Sequence, residues 1–234
     1  MDTLKGVRLM INNDRELLKE LLPFWNKLSI DEQKLILNNG NLLRFKKGQS
    51  IHEGGHDCTG ILVVISGIIR SFFLSESGKE ITLFRLLDRD TCILSSSCIL
   101  RDITFDINIE AEKDCEIYLI PSEIHKQLCK SNFYVKDFEA QIMASRLSDI
   151  MWLMEQVVFM SMDKRLANFL LEQADIEGTD KLYITHENIA KNLGTAREVI
   201  TRMLKYFQNE DMVSLSRGTI EIIDKGKLNQ ILNY

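Results

Sequence analysis

Arg197, Glu198, Thr201, Arg202 and Lys205 recur at i, i+1, i+4, i+5 and i+8, a spacing that places them along one side of a helix. These side chains share a chemistry, since each can hydrogen-bond or pack against the edge of a nucleic-acid base or its phosphates. A guanidinium fork reaches O6 and N7 of guanine together, a carboxylate accepts from the cytosine amine, and threonine can meet a thymine methyl. Lys205 adds a cation suited to a phosphate. The competing reading is an exposed helix with ordinary charges, in which Glu198 serves only as the capping partner of Thr195. For any single charge the two readings stand level.

Two short helices and a hairpin must hold that stripe. Thr185 to Leu193 predicts one helix, with Thr185 as its N-cap. Gly194 supplies a turn, and Thr195-Ala196-Arg197-Glu198 opens a second helix in a capping-box pattern that runs to about Gln208. Ile189, Ala190 and Leu193, then Val199, Ile200, Met203, Leu204 and Phe207, form one buried face, and Ala190 is small where crossing helices approach. A helix over Asp163–Ala174 and a strand over Leu182-Tyr183-Ile184 precede the pair. Strands over Met212–Ser216 and Thr219–Ile223, joined at Arg217-Gly218, follow it. That is the element order of a winged helix-turn-helix, and such a fold would set the stripe in a major groove.

Residues 133–160 contain no Gly or Pro, and Ala140, Met143, Leu147, Ile150, Met154 and Val157 recur at alternating steps of three and four, an a/d seam. At ~1.5 Å per residue the helix would be about 42 Å long. The seam either joins two copies of the chain or packs on the chain's own strands. Trp152, Leu153, Val158 and Phe159 lie on the other face and offer apolar surface for the chain's own domain, so dimerisation is expected of the seam. Upstream, Leu42–Phe45, Gly60–Ile65, Ile68–Leu74, Ile81–Leu87, Asp106–Ala111 and Cys115–Ile120 read as short strands broken by turns. They predict a small antiparallel barrel or sandwich, with short helices over Arg15–Leu22 and Ile30–Leu37 before it. The fold class is α+β. Expected domains are 1–132 for the β domain and its short helices, 133–160 for the long helix, and 161–234 for the winged domain.

The chain has 234 residues, 45% hydrophobic and 27% charged, which is ordinary for a core-forming soluble protein of two domains. Its apolar runs fall short of the ~18 residues of a membrane span, and its polar start lacks a signal-peptide core, so a cytoplasmic location away from membranes is expected. Five cysteines include no CxxC pair, which speaks against a disulfide framework or a structural zinc site. No metal ligands are assigned. The net charge is −5, with −4 in residues 1–160 and −1 in 161–234. Residues 195–207, however, set Arg197, Arg202 and Lys205 against Glu198 alone, and affinity for a polyanion follows where the cations sit. No Ser/His/Asp order, Gly-rich phosphate loop or HExxH motif occurs, so the chain is read as no enzyme and no catalytic residue is assigned.

The stretch ITHENIAKNLGTAREVITRMLK resembles the helix-turn-helix of the cyclic-AMP receptor protein / fumarate-nitrate regulator (CRP/FNR) family of bacterial transcription factors. The resemblance covers nearly the whole chain. It implies an N-terminal antiparallel β-roll (a cupin-like jelly roll) as sensor, a long dimerisation helix and a C-terminal winged helix-turn-helix. Gly48, Gly67 and Gly78 fall where that roll turns. It further implies a homodimer on palindromic double-stranded DNA with TGTGA-like half-sites, roughly 34 Å apart, working with RNA polymerase. Arg197, Glu198 and Arg202 match the family's base-reading positions, with Thr201 beside them, and Thr185 and Thr195 stand near phosphates. Thr201 replaces the glycine of the cyclic-AMP branch and is closer to the serine of the fumarate-nitrate branch.

The input end matches less well. The family holds the ribose of cyclic AMP with the Glu of a Gly-Glu pair and the phosphate with an Arg-Ser pair; here these positions read Ile93-Leu94 and Phe105-Asp106. A site without a cation and with an added carboxylate repels a phosphate, so no cyclic-AMP binding is expected. An iron–sulfur cluster is disfavoured as well, because that branch gathers its cysteines near the N-terminus and the first here is Cys58. Within CILSSSC, residues 92–98, Cys92 and Cys98 are either a redox- or metal-responsive pair or small buried hydrophobes. Ser95, Ser96 and Ser97 either donate to a small effector or form plain loop. His52 and His56 flank a Gly-Gly turn and either ligate haem, as in some relatives, or are surface turn residues. A regulator with another effector, a DNA-binding dimer without ligand, and a non-DNA ligand-binding barrel remain the readings in play.

Overall fold

The computed structural model describes residues 11–54, 60–93 and 106–233. They fall into two compact units, one within 1–73 and 83–150, the other 74–82 with 151–234.

The first unit opens with α1 (Ile11–Leu21), a single 3-10 turn (Trp25–Lys27) and α2 (Ile30–Asn39). Eight strands follow: β1 (Asn41–Phe45), β2 (Ser50–His52), β3 (Ile61–Ser66), β4 (Ile69–Leu74), β5 (Glu80–Leu86), β6 (Thr91–Cys92), β7 (Asn108–Ala111) and β8 (Cys115–Ile120). They form two four-stranded sheets, ordered β1-β8-β3-β6 and β2-β7-β4-β5. This is the antiparallel roll expected. β3 reads as a continuous apolar run because Ile61 to Val64 are all buried, as in strands covered on both faces. β2 and β6 went unpredicted because two or three residues show no periodicity. Of the turn glycines, Gly67 is the most constrained: its φ is +95°, and a Cβ there would lie 2.3 Å from the Asp114 carbonyl oxygen.

Two further helices follow, α3 (Ser122–Ser131), not expected from the sequence, and α4 (Phe133–Phe159), whose residues to Ile150 belong to the first unit and the rest to the second. Val135 is buried, while Phe138, Ile142 and Met143 pack on a core built from Leu18, Leu22, Trp25, Ile36, Tyr118 and Leu128. Phe138 meets Phe24 edge-on at 5.1 Å between ring centroids. Leu147, Met154 and Val157 of the predicted seam are exposed, and so are Trp152, Val158 and Phe159. This corrects the expectation that the Trp152–Phe159 side covers the chain's own domain. The first turns of α4 meet Phe24 and its neighbours and Arg146 lies buried over the Phe84 ring, whereas the apolar side chains Leu147, Trp152, Met154, Val157, Val158 and Phe159 are open to solvent.

Ser29 and Glu32 form the capping box of α2: the Ser29 amide donates to the Glu32 carboxylate at 2.8 Å and the Glu32 amide to Ser29 Oγ at 3.3 Å. Glu32 also accepts from Ser131 Oγ at 3.0 Å and Asn132 Nδ2 at 3.2 Å, tying α2 to the α3–α4 corner. Burial pushes the Glu32 carboxyl up, but its hydrogen bonds from Ser29, Asn132 and Ser131 outweigh that and hold it below its ordinary value. A carboxyl lowered on folding adds stability above its unfolded pKa of about 4.3 and loses it as pH falls through the folded value. Glu32→Ala is therefore expected to cost about 1 kcal/mol at neutral pH. In urea denaturation the gap to wild type should close as the pH drops below about 4.

The second unit contains α5 (Met162–Glu177), β9 (Lys181–Leu182), α6 (His186–Leu193), α7 (Arg197–Asn209), β10 (Val213–Ser216), β11 (Thr219–Ile222) and α8 (Lys225–Asn233). Its sheet runs β10-β11-β9. The strand expected over Leu182–Ile184 is shorter, since Tyr183 is exposed and Ile184 already turns into the core. Leu166, Leu170, Ile189, Leu204, Phe207 and Ile220 form that core, to which the unpredicted α8 adds Leu228. Among the described residues no helix is long and apolar enough to cross a membrane.

Candidate nucleic-acid interface

Thr185 caps α6 as its sequence position requires, with Oγ1 accepting from the Asn188 amide at 3.1 Å. The helix ends at Gly194, φ +66°, whose amide donates to the Ala190 carbonyl, and the Thr195 amide donates to the same oxygen at 3.0 Å. Arg165, buried, donates Nη2 to the Leu193 carbonyl at 2.8 Å, satisfying another acceptor of that last turn. This closure commits Thr195 to the helix before it. α7 begins at Arg197 with Ala196 as N-cap and no side-chain cap bond. The capping box expected at Thr195–Glu198 thus does not form, and Glu198 is free of that duty.

Ile200, Leu204 and Phe207 are fully buried on the inner side of α7, with Val199 and Met203 partly so. On its outer side Arg197, Glu198, Thr201, Arg202 and Lys205 line one shallow concavity of about 350 Å³. All are exposed except Thr201, which is half-buried. Among the described residues no ion pair engages Arg197, Arg202 or Lys205. Thr201 differs, because its hydroxyl donates to the Arg197 carbonyl at 2.9 Å. His186 Nδ1 lies 2.9 Å from Thr201 Oγ1 and, since that hydroxyl's proton goes to the Arg197 carbonyl, must be the donor to it. Burial, then the charge of Arg197, lower the His186 pKa, so the imidazole is neutral at pH 7. The hydroxyl of Thr201 is spent inside the protein.

A second concavity, about 450 Å³, joins Thr185, His186, Glu187 and Arg197 to Ser216, Arg217, Gly218 and Thr219 of the β10–β11 turn. It gathers Thr185 and Arg197 with Arg217, a turn residue in the sequence whose only signal there is that it is a cation at the tip of a hairpin. Thr195 is half-buried and lines neither concavity.

Of the sensor residues, His56, Leu94, Ser95, Ser96, Ser97, Cys98 and Phe105 lie outside the described residues. Cys92 in β6 and Ile93 after it are fully buried. His52 is not a surface turn residue: it lies in β2 opposite Ile109 of β7 and is buried by that pairing. Two arginines of the roll are paired with carboxylates, Arg70 with Glu110 at 2.8 Å and Arg85 with Glu112 at 2.5 Å.

Comparison with known proteins matches both ends of the chain. A family model for the Crp-like helix-turn-helix domain matches residues 164–231, and one for the cyclic nucleotide-binding domain matches 42–132. The cyclic AMP receptor protein of Thermus thermophilus is 25% identical over 210 residues, covering 89% of this chain and 96% of its own. The fumarate and nitrate reduction regulatory protein of Vibrio cholerae is 26% identical over 224 residues, covering 90% and 85%. A crystal structure from Eubacterium rectale, assigned to the CRP/FNR transcriptional regulators, is 51% identical with a TM-score of 0.89, covering 92% of this chain and all of that one. With the roll, the long helix and an outward-facing cationic stripe on a winged helix-turn-helix, the chain belongs to the CRP/FNR family of DNA-binding transcription regulators, which are not enzymes.

Proposed function

We propose that this regulator acts as a homodimer on a palindromic site with TGTGA-like half-sites. Arg197, Glu198, Thr201 and Arg202 read bases, and Thr185, Thr195 and Lys205, joined by Arg217, hold phosphates. The observation that carries this is the outer face of α7, where cations free of ion pairs project from a helix whose inner face is buried. The partner copy docks along α4, whose exposed Leu147, Met154 and Val157 would otherwise leave an apolar face in water. A two-fold axis there sets the two recognition helices about 34 Å apart, one turn of DNA. RNA polymerase is the partner through which the bound dimer acts.

The controlling effector is something other than cyclic AMP, or the dimer binds DNA without a ligand. Supporting this, a buried isoleucine stands where the family's Gly-Glu pair begins, and Arg70 and Arg85 already have carboxylate partners. Any effector must bind the two states of the switch with different affinity. Selection of binding sites from random duplex DNA by the full chain is expected to enrich an inverted repeat. Addition of micromolar cyclic AMP should change neither the footprint nor the calorimetric baseline. An unpaired half-site as the consensus would overturn the dimer reading, and measurable heat of cyclic-AMP binding the effector reading.

A further inference from the structure

Three side chains that DNA binding does not use converge at the α3–α4 corner. His125 and Cys129 are four residues apart on α3 and share a face, and Glu139 meets them from the second turn of α4. Glu139 Oε2 lies 2.7 Å from His125 Nε2 and 3.0 Å from Cys129 Sγ, and Sγ lies 3.2 Å from Nε2. His125 is 3% exposed, while Cys129 and Glu139 are half-buried, so the triangle sits at the rim of the core. Among the described residues no other trio of His, Cys, Asp and Glu converges in this way.

We propose that His125, Cys129 and Glu139 bind one divalent ion of zinc character, with water at the fourth position. One nitrogen, one sulfur and one oxygen suit a borderline ion in tetrahedral geometry, whereas calcium and magnesium select oxygen ligands. Zinc bond lengths of about 2.0–2.3 Å place tetrahedral ligand atoms roughly 3.5 Å apart. The observed sides are shorter than that by roughly half an ångström, so the three ligand atoms would move slightly apart on binding. A single carboxylate oxygen lies within hydrogen-bonding distance of both the imidazole and the thiol, and burial, then the hydrogen bond to Glu139, push the thiol's pKa up. A dication would replace that arrangement with a neutral one, since thiolate and carboxylate cancel its charge. On binding, the thiol proton leaves to solvent and the imidazole carries its remaining proton on Nδ1, freeing Nε2, so about one proton is released per ion.

Hydrogen bonds already join the two helices at this corner. Asn132, between the helices, donates to the Lys27 carbonyl at 3.1 Å and accepts from the Tyr134 amide at 3.0 Å. The ligands need only side-chain adjustment, and the ion would clamp α3 to the root of α4. The absence of a CxxC pair, which spoke against structural zinc, does not bear on a His-x3-Cys pair completed by a distant carboxylate.

Titration of the full-length, metal-stripped protein with cobalt(II) is the test. One equivalent is expected to produce the ligand-field absorption of tetrahedral cobalt together with a thiolate-to-cobalt charge-transfer band, and zinc should displace it with release of about one proton. Cys129→Ser should abolish the charge-transfer band, and Glu139→Gln, which keeps the side chain's shape, should weaken zinc binding at least 10-fold. The wild-type titration does not depend on either variant folding. A titration without a charge-transfer band, or a band that survives in folded Cys129→Ser, would refute the site.

Discussion

Arg197→Ala and Arg202→Ala are each expected to erase discrimination at one base pair of the half-site and to weaken consensus binding about 5- to 150-fold per subunit. That follows from the roughly 1–3 kcal/mol carried by a bidentate arginine–base pair. A symmetric dimer feels the loss at both half-sites. Lys205→Ala should behave differently, weakening all sequences alike and lowering the salt slope by about one per subunit. The contrast is clean because all three side chains project from the outer face of α7 while Ile200, Leu204 and Phe207 keep the helix seated. Fluorescence anisotropy against consensus and scrambled duplexes at several salt concentrations separates the two behaviours. An unchanged consensus-to-scrambled ratio in both arginine variants would mean that α7 is not the reading element.

The second large effect concerns α4. Leu147 is 61% exposed, Met154 57% and Val157 47%, and burying such side chains is worth about 1.5–3 kcal/mol each. Leu147→Asp combined with Met154→Asp removes that gain from both copies and sets carboxylates at the seam. The double variant is expected to sediment as a folded monomer at micromolar concentration with its helical circular dichroism retained. Its affinity for the palindrome should fall 100-fold or more, because the second half-site is no longer bound at the effective concentration a linked partner supplies. A dimer with wild-type affinity would place the interface elsewhere.

Particular elements show how far the sequence could be read. The stripe on α7, its buried counterface and the Thr185 cap were legible because each is a local pattern expressed within one or two helices. The long helix was equally legible, from 27 residues without Gly or Pro. Thr195 does not cap for a physical reason: the Ser/Thr-x-x-Glu pattern that Ser29–Glu32 realises as a capping box is pre-empted when the backbone of the first residue is already closing the helix before it. His52 escaped because burial of a three-residue strand depends on its partner β7 and not on its own neighbours. Arg217 escaped because a hairpin tip acquires meaning only from what lies beside it.

By itself the sequence determined the output of this protein: a winged helix-turn-helix, the residues on its outward face, and a long apolar helix suited to a second copy. These follow from periodicities of two and 3.6 and from caps and turns, which act over a few residues. The tertiary structure alone decided which side of α4 is taken by the chain's own core, which threonine hydroxyl is spent inside the protein, and that His125, Cys129 and Glu139 meet. Those are contacts between elements, and no local spacing encodes the distance between side chains that folding brings from different helices to within hydrogen-bonding reach.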